Sequence, residues 1–198
     1  MRLEPVERPG NVILRMIYWM VYRRFGKVVT PLKILYARKP KLLSVFLLID
    51  RLLNKNVTLS PSFRLLFQTQ VSLLNGCGFC QDVLQAVAVQ RCIGMEKFHA
   101  LRDYKVSPLF DERERAALAF AEDFSRNKHV SDATFEGLRK HFSETEIVEL
   151  IWMNAVENYF NSLVIPLKIN PDSLAALTAK RMERKAMKRF FNPFFGRQ

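Results

Sequence analysis

The chain has 198 residues, enough for one domain with a hydrophobic core and additional segments at its ends. Apolar residues make up 49% of it, which excludes disorder as the main state. Its three cysteines are too few for the disulfide framework of a small secreted protein. We therefore expect a reducing compartment and take the cytoplasm as the default location.

The net charge of +12 is concentrated at the two ends of the chain. Residues 1–60 carry twelve Lys and Arg against three acids, and residues 178–198 carry seven against one. We predict a basic helical extension over 1–60 that packs on the core, a domain over 61–177, and a basic, Phe-rich tail over 178–198. The basic ends would suit anionic lipid or an acidic partner, or equally a solvated surface, and we expect no nucleic acid.

The first sixty residues predict two or three helical pieces separated at Pro31 and Pro40. Residues 11–25 predict an amphipathic helix that needs a partner surface: the rest of the fold, another subunit or a membrane face. The apolar run Val12–Tyr22 is too short to cross a bilayer. A second apolar run, Leu42–Leu53, is expected to pack against the domain.

The next two helices flank an Asn-Gly turn. Ser60 and Pro61 fit the N-cap and first position of a helix that ends at Asn75-Gly76, a pair that tolerates the left-handed conformation. A new helix should begin at or just after Cys77 and run to about Cys92. The stripe predicted on the first of these helices consists of Phe63, Leu66, Phe67, Gln70, Val71 and Leu74.

Capping residues mark the later helices. Asp111 with Glu114 predicts a capping box ahead of a helix over 112–126, and Ser131 predicts the start of another helix. Together with the earlier elements, and without any strand signal, these patterns predict an all-α fold.

A second capping box, Ser143 with Glu146, precedes a long helix that is closed by Pro166. Asn154 and Asn158 lie near its apolar stripe and should find hydrogen-bond partners or face a cavity. The predicted stripe consists of Ile147, Leu150, Ile151, Ala155, Tyr159 and Leu163.

The tail from Ala179 alternates basic and apolar residues. Docking on another subunit is the interpretation we favour, followed by contact with a membrane surface. Its large apolar residues are Met182, Met187, Phe190, Phe191, Phe194 and Phe195.

Cys77-Gly78-Phe79-Cys80 is the motif that carries chemistry. At the start of a helix, free N–H groups and the helix dipole favour a thiolate. Two positions three apart on a helix have α-carbons about 5 Å apart, within disulfide range. The motif therefore predicts a redox-active pair. Cys92 is expected to be a buried core thiol.

Other uses of the cysteine pair are less well supported. Structural zinc wants four ligands, and the histidines at 99, 129 and 141 lack ligand-like spacing to the motif. Attached haem requires a histidine directly after the second cysteine, where Gln81 stands. A thioredoxin-like unit requires strands. The remaining alternative is that the two cysteines have a structural role only, as small residues packed at the start of a helix. We expect no metal and no cofactor.

Two segments resemble the AhpD-like branch of the carboxymuconolactone decarboxylase superfamily. They are residues 63–80, in which a helix ends in Asn-Gly and leads into CxxC, and residues 154–167, with Asn-x-x-Asn at Asn158–Asn161. The resemblance implies an all-α bundle that forms homotrimers or homohexamers. In peroxidases of this family the second cysteine attacks the hydroperoxide and the first resolves it, which implies catalytic roles for Cys80 and Cys77.

The chain departs from the family at the proton relay. The family has a glutamate twelve residues before the first cysteine and a histidine four residues after the second, and these positions hold Leu65 and Leu84. Asp82 and Glu157 can accept a proton, but the sequence places neither beside Cys80. The resemblance thus implies a thiol-redox protein that uses a peroxide or a thiol reductant, with weak peroxidase activity. The alternative is a non-catalytic oligomer that binds an apolar ligand or a partner.

Overall fold

The computed structural model of the chain describes residues 1–195, and these residues form helices and no strands. The predicted all-α fold class is confirmed. The helices are α1 (Val12–Phe25), α2 (Leu42–Lys55), α3 (Pro61–Leu74), α4 (Gly78–Gln90), α5 (Glu96–His99), α6 (Glu112–Asn127), α7 (Asp132–Arg139), α8 (Glu144–Val164) and α9 (Leu174–Phe195).

Helix α3 is the centre of the bundle and packs against α4, α6 and α8. It begins as predicted, with Pro61 in the first turn and the Ser60 hydroxyl accepting the N–H of Phe63 at 3.3 Å. Every residue from 64 to 72 is buried, so the prediction of a single apolar stripe is incomplete. Polar side chains, among them Gln68 and Ser72, are enclosed together with the apolar ones.

The largest core cluster joins α3, α6 and α8 around Phe67, which stacks on Phe120. Burying an aromatic side chain of this size stabilises the fold by about 2–3 kcal/mol. Leu150 and Met153 complete the cluster from α8. Apolar contacts therefore hold the first half of α8 against α3.

Helix α8 confirms its predicted start and corrects its predicted buried face. Ser143 and Glu146 form the expected capping box. Ile151 is 46% exposed and Ala155 is exposed, so both were wrongly predicted as buried. The inward face continues through Glu157 instead. Because several inward positions of α8 are polar, its apolar residues indicated a face about a third of a turn away from the one that is buried.

The first two helices cover one side of the bundle. Asn11 caps α1, and Gly26 ends it in the left-handed conformation at φ 82°. The inner side of α1 packs on Leu32 and Tyr36 of the short helical segment that precedes α2. No helix in the described range 1–195 combines the length and the apolar character needed to cross a bilayer. Large apolar side chains remain exposed on α1 and α2: Val12, Ile13, Met16, Trp19, Met20, Tyr22, Leu42, Val45, Phe46, Leu47 and Leu48.

Helix α9 lies against α4 and reaches the end of α1. The Asp82 carboxylate on α4 accepts hydrogen bonds from the N–H groups of Leu174 and Ala175 at 2.8 and 3.0 Å. Two N–H groups in the first turn of α9, which have no partner within the helix, thereby gain an acceptor. Arg181 donates to the carbonyls of Tyr22 and Arg23 at the end of α1. The tail phenylalanines, for which we predicted docking on another subunit, have side chains outside the described part of the chain.

Replacing Asp82 by alanine should lower the free energy of unfolding by about 2 kcal/mol, because one buried and one partly buried N–H group of α9 lose their acceptor. Urea denaturation measures this change. Asp103→Ala, at an exposed position, is the control and should cost less than 0.5 kcal/mol, roughly the usual effect at the surface. Equal losses in the two variants would contradict the assignment of Asp82 as a helix cap.

Candidate functional site

The turn between α3 and α4 brings the cysteine motif to the centre of the bundle. Gly76 adopts φ 71°, a left-handed conformation that few side chains tolerate. The N–H of Cys77 then donates to the carbonyl of Ser72 at 2.9 Å. Cys77 becomes the N-cap of α4, and its sulfur accepts the N–H of Cys80 at 3.4 Å. The predicted helix start is confirmed.

Cys77 and Cys80 are joined in a disulfide, with α-carbons 5.3 Å apart. Both lie in an apolar cluster and are nearly enclosed, with 2% of Cys77 and 6% of Cys80 exposed. Phe79 and Val164 are part of the same cluster. The separation of the two α-carbons agrees with the distance of about 5 Å that the spacing predicted.

A cavity of about 450 Å³ lies between α1, α2, α3, α4 and α8, and Cys80 is part of its wall. This volume is within the range of sites that hold small organic molecules. Cys77 does not line the cavity. Most of the wall is apolar: Ile17, Val21, Phe25, Val29, Leu32, Leu35, Leu43, Phe46, Leu47, Leu53, Phe79, Val83, Val87, Phe160, Leu163 and Val164 all line it.

Leu65 and Leu84, at the positions of the family's proton relay, both line this cavity. The fold thus brings the two positions to the same space as Cys80, although neither side chain can carry a proton.

Glu157 of α8 lines the cavity as well, a position that could not be predicted from the sequence. Its carboxylate accepts from Ser72 Oγ at 2.5 Å, from Asn161 Nδ2 at 2.8 Å and from Gln68 Nε2 at 3.2 Å. Burial raises the pKa of Glu157 to about 7, since desolvation outweighs the lowering effect of these hydrogen bonds. At neutral pH this group is both proton acceptor and proton donor.

Asparagines extend the network around Glu157 to the turn before the motif. Asn75 donates to Asn158 Oδ1 at 3.0 Å and to Asn161 Oδ1 at 2.9 Å. Asn158 in turn donates to the side chain of Asn154, in line with the expectation that these residues find partners. The residue before Gly76 is therefore held to α8, which also carries Glu157.

Other candidates from the sequence lie elsewhere. Asp82 caps α9, as described above. Cys92 was predicted to be buried, but it is exposed. Helix α4 ends at Gln90, and Cys92 follows in the left-handed conformation at φ 56°, so extending the helical period to it was wrong. Within residues 1–195, no group of three or more His, Cys, Asp or Glu is arranged to hold a metal ion.

Comparison with known proteins identifies relatives that are similar in sequence. Residues 40–123 match the carboxymuconolactone decarboxylase family. The protein YnjA of Escherichia coli K12 is 32% identical over 158 residues, which make up 76% of this chain and 85% of YnjA.

Two solved structures share the fold. A protein of unknown function from Agrobacterium tumefaciens, named for the antioxidant defence protein AhpD, has a TM-score of 0.64 and 25% identity, over 70% of this chain and 97% of that one. The debrominase Bmp8 has a TM-score of 0.74 and 19% identity, over 90% of this chain and 96% of that one. A variant of Bmp8 with a cysteine replaced by alanine is known in complex with 2,3,4-tribromopyrrole.

The raised pKa of Glu157 predicts a pH-dependent cost to stability. The folded state holds this proton up to about pH 7 and the unfolded state only up to about 4.5, so the cost is absent below pH 4.5 and complete above pH 7. Glu157→Gln removes the cost and should gain roughly 2–3 kcal/mol over the wild type between pH 5 and pH 8. Urea denaturation at both pH values measures it.

Glu4→Gln, at an exposed position, controls for the loss of one carboxyl group. A difference between wild type and Glu157→Gln that stays constant from pH 5 to pH 8 would show that the folded protein does not hold this proton.

Proposed function

The chain belongs to the carboxymuconolactone decarboxylase and AhpD-like superfamily, and from this premise we propose that it is a thiol-redox protein that acts through Cys80 and Cys77. The proposed reaction is reduction of a hydroperoxide, or exchange of a disulfide, in antioxidant defence. The observation that carries the proposal is a bonded cysteine pair whose second residue, Cys80, lines a largely apolar cavity.

The unequal placement of the two sulfurs supports unequal roles. Cys80 lines the cavity and is positioned to meet a substrate, whereas Cys77 lies behind it and caps the helix. Cys80 sits in the first turn of α4, where unpaired N–H groups favour a thiolate in the reduced state. These observations fit attack by Cys80 and resolution by Cys77.

With a hydroperoxide as substrate, the Cys80 thiolate attacks the terminal oxygen and the O–O bond breaks, which releases an alcohol once the leaving oxygen gains a proton. Cys80 is then a sulfenic acid. The Cys77 thiol displaces its hydroxyl as water, and the disulfide seen in the structure forms. A thiol reductant restores both thiols and is itself oxidised to a disulfide.

We assign proton transfer in this reaction to Glu157. It shares the cavity with Cys80, and its pKa of about 7 suits a group that takes a proton from a thiol and returns it to a leaving oxygen. Its donors hold the carboxylate in one orientation. Glu157 would thus transfer the proton in place of the family's relay residues, since Leu65 and Leu84 cannot.

The cysteine roles predict distinct products. After reduction and treatment with cumene hydroperoxide, the wild type should form the Cys77–Cys80 disulfide, seen by mass spectrometry as loss of two hydrogens. Cys80→Ser should consume no peroxide. Cys77→Ser should stop at a sulfenic acid on Cys80, which dimedone traps. Cys92→Ser, which changes an exposed free thiol, should behave like the wild type. Two free thiols in the oxidised wild type would overturn the proposal.

The role of Glu157 predicts a change in the pH profile. The rate of peroxide reduction by the wild type should rise with pH through an inflection near 7. Glu157→Gln should lose this inflection and roughly 10²-fold or more of the rate at pH 7.5. Glu149→Gln changes a buried carboxylate on the same helix that binds Thr58 and does not line the cavity. Its profile should keep the inflection, and an unchanged profile in Glu157→Gln would contradict the assignment.

Binding of an apolar ligand without catalysis is the second candidate function, favoured by the apolar wall of the cavity. Under this alternative, Cys80→Ser would leave function intact. The exposed apolar residues of α1 and α2 support the further proposal that the chain forms a homotrimer or homohexamer. Neither feature depends on the redox chemistry.

A further inference from the structure

Arg64 on α3 is a buried cation with no partner among the side chains that the structure describes. Only 6% of the residue is exposed, and its Nε is enclosed with no hydrogen-bond acceptor. Across the residues whose side chains the structure describes, its guanidinium forms no ion pair and no hydrogen bond. A guanidinium carries five donors and remains charged at neutral pH. Enclosing the Nε–H of this cation without an acceptor is unfavourable, and an anion bound to the guanidinium would compensate for it.

Arg64 lines the same cavity as Cys80 and Glu157. It lies one helical turn before Gln68, whose amide contacts Glu157, so the two positions are about 6 Å apart along the axis of α3. An anionic group bound at Arg64 would therefore lie close to the proposed reaction centre and not at a distant surface.

The other two arginines of the cavity wall have partners. Arg24 Nε donates to Gln90 at 3.2 Å, and Arg91 donates to Asn54 at 2.7 Å. Arg64 therefore differs from them in its lack of an acceptor.

The acids around Arg64 do not compensate for its charge. Asp50 and Glu157 line the cavity, but neither forms a salt bridge with Arg64. Asp50 accepts from Asn54, and Glu157 is held by its own donors. Glu149 raises the pKa of Arg64, but burial and Arg91 lower it, and the net shift is downward.

We propose that the cavity binds an apolar organic acid, with its anionic group paired to Arg64 and its apolar body against α1, α2 and α4. That the bound acid is the substrate of the redox site rests on the proposed function. Binding itself requires no thiol chemistry, because the cavity is complete in the disulfide form. The planar, forked guanidinium suits a carboxylate in particular.

Isothermal titration calorimetry on the oxidised protein tests the inference with decanoate and, as a neutral probe of the same length, decan-1-ol. The wild type should bind decanoate at least about tenfold more tightly than decanol. Arg64→Met, which keeps an apolar side chain of similar reach, should lose that preference and bind the two probes alike. Arg64→Lys should retain part of it, because the charge remains but the fork is lost.

Arg102→Met removes the same charge from an exposed position outside the cavity and should leave both affinities unchanged. A higher Tm of ligand-free Arg64→Met than of the wild type would support an uncompensated charge at this position. Equal binding of decanoate and decanol by the wild type, no binding of either at millimolar concentration, or full decanoate affinity in Arg64→Met would overturn the inference. None of these results depends on peroxide reduction, so failure of the redox proposal would be recognised separately.

Discussion

The site depends on Ser72, whose two oxygen atoms connect its two halves. The carbonyl accepts the N–H of Cys77 and fixes the turn that begins α4. The hydroxyl donates to Glu157 and fixes the carboxylate of α8. Because Ser72 is fully buried near the end of α3, neither contact competes with water. The cysteine pair and the carboxyl group are thus held to one rigid element, and their relative positions follow from the packing of α3.

Glu157 and Arg64 are both buried at this cavity, but they differ in their hydrogen-bond partners. Glu157 has three donors from the protein, and its raised pKa allows it to shed its charge at modest cost. Arg64 cannot shed its charge and has no acceptor among the side chains the structure describes. A carboxyl that can be neutral suits proton transfer. A cation that stays charged suits recognition. The two groups therefore fit different tasks within one cavity.

The sequence predicted features whose signals are local. Capping residues such as Ser143 and the Asn-Gly turn before Cys77 depend on a few neighbouring residues, and the structure confirms them. The spacing of the two cysteines likewise fixes their separation through helix geometry alone.

Features that depend on tertiary packing were missed. A glutamate among apolar residues of a helix has the same local pattern whether it faces solvent or a cavity, so Glu157 could not be located. The buried face of α8 was displaced for the same reason, because its inward positions are polar. Arg64 was not singled out, since arginine is usually a surface residue. The available signal was an acid at 157 followed one turn later by an amide at 161. This spacing becomes informative only once Ser72 is known to contact Glu157.

Glu157 and the two leucines at the relay positions line the same cavity as Cys80. With leucine at 65 and 84, the cavity wall beside Cys80 is apolar, and a thiolate there gains no support from those positions. Burial raises the pKa of Glu157 to about 7, into the range where it exchanges protons at neutral pH. With leucine at both relay positions, we propose a carboxyl from a different helix as the base, and the largely apolar wall suits ligands that are themselves largely apolar.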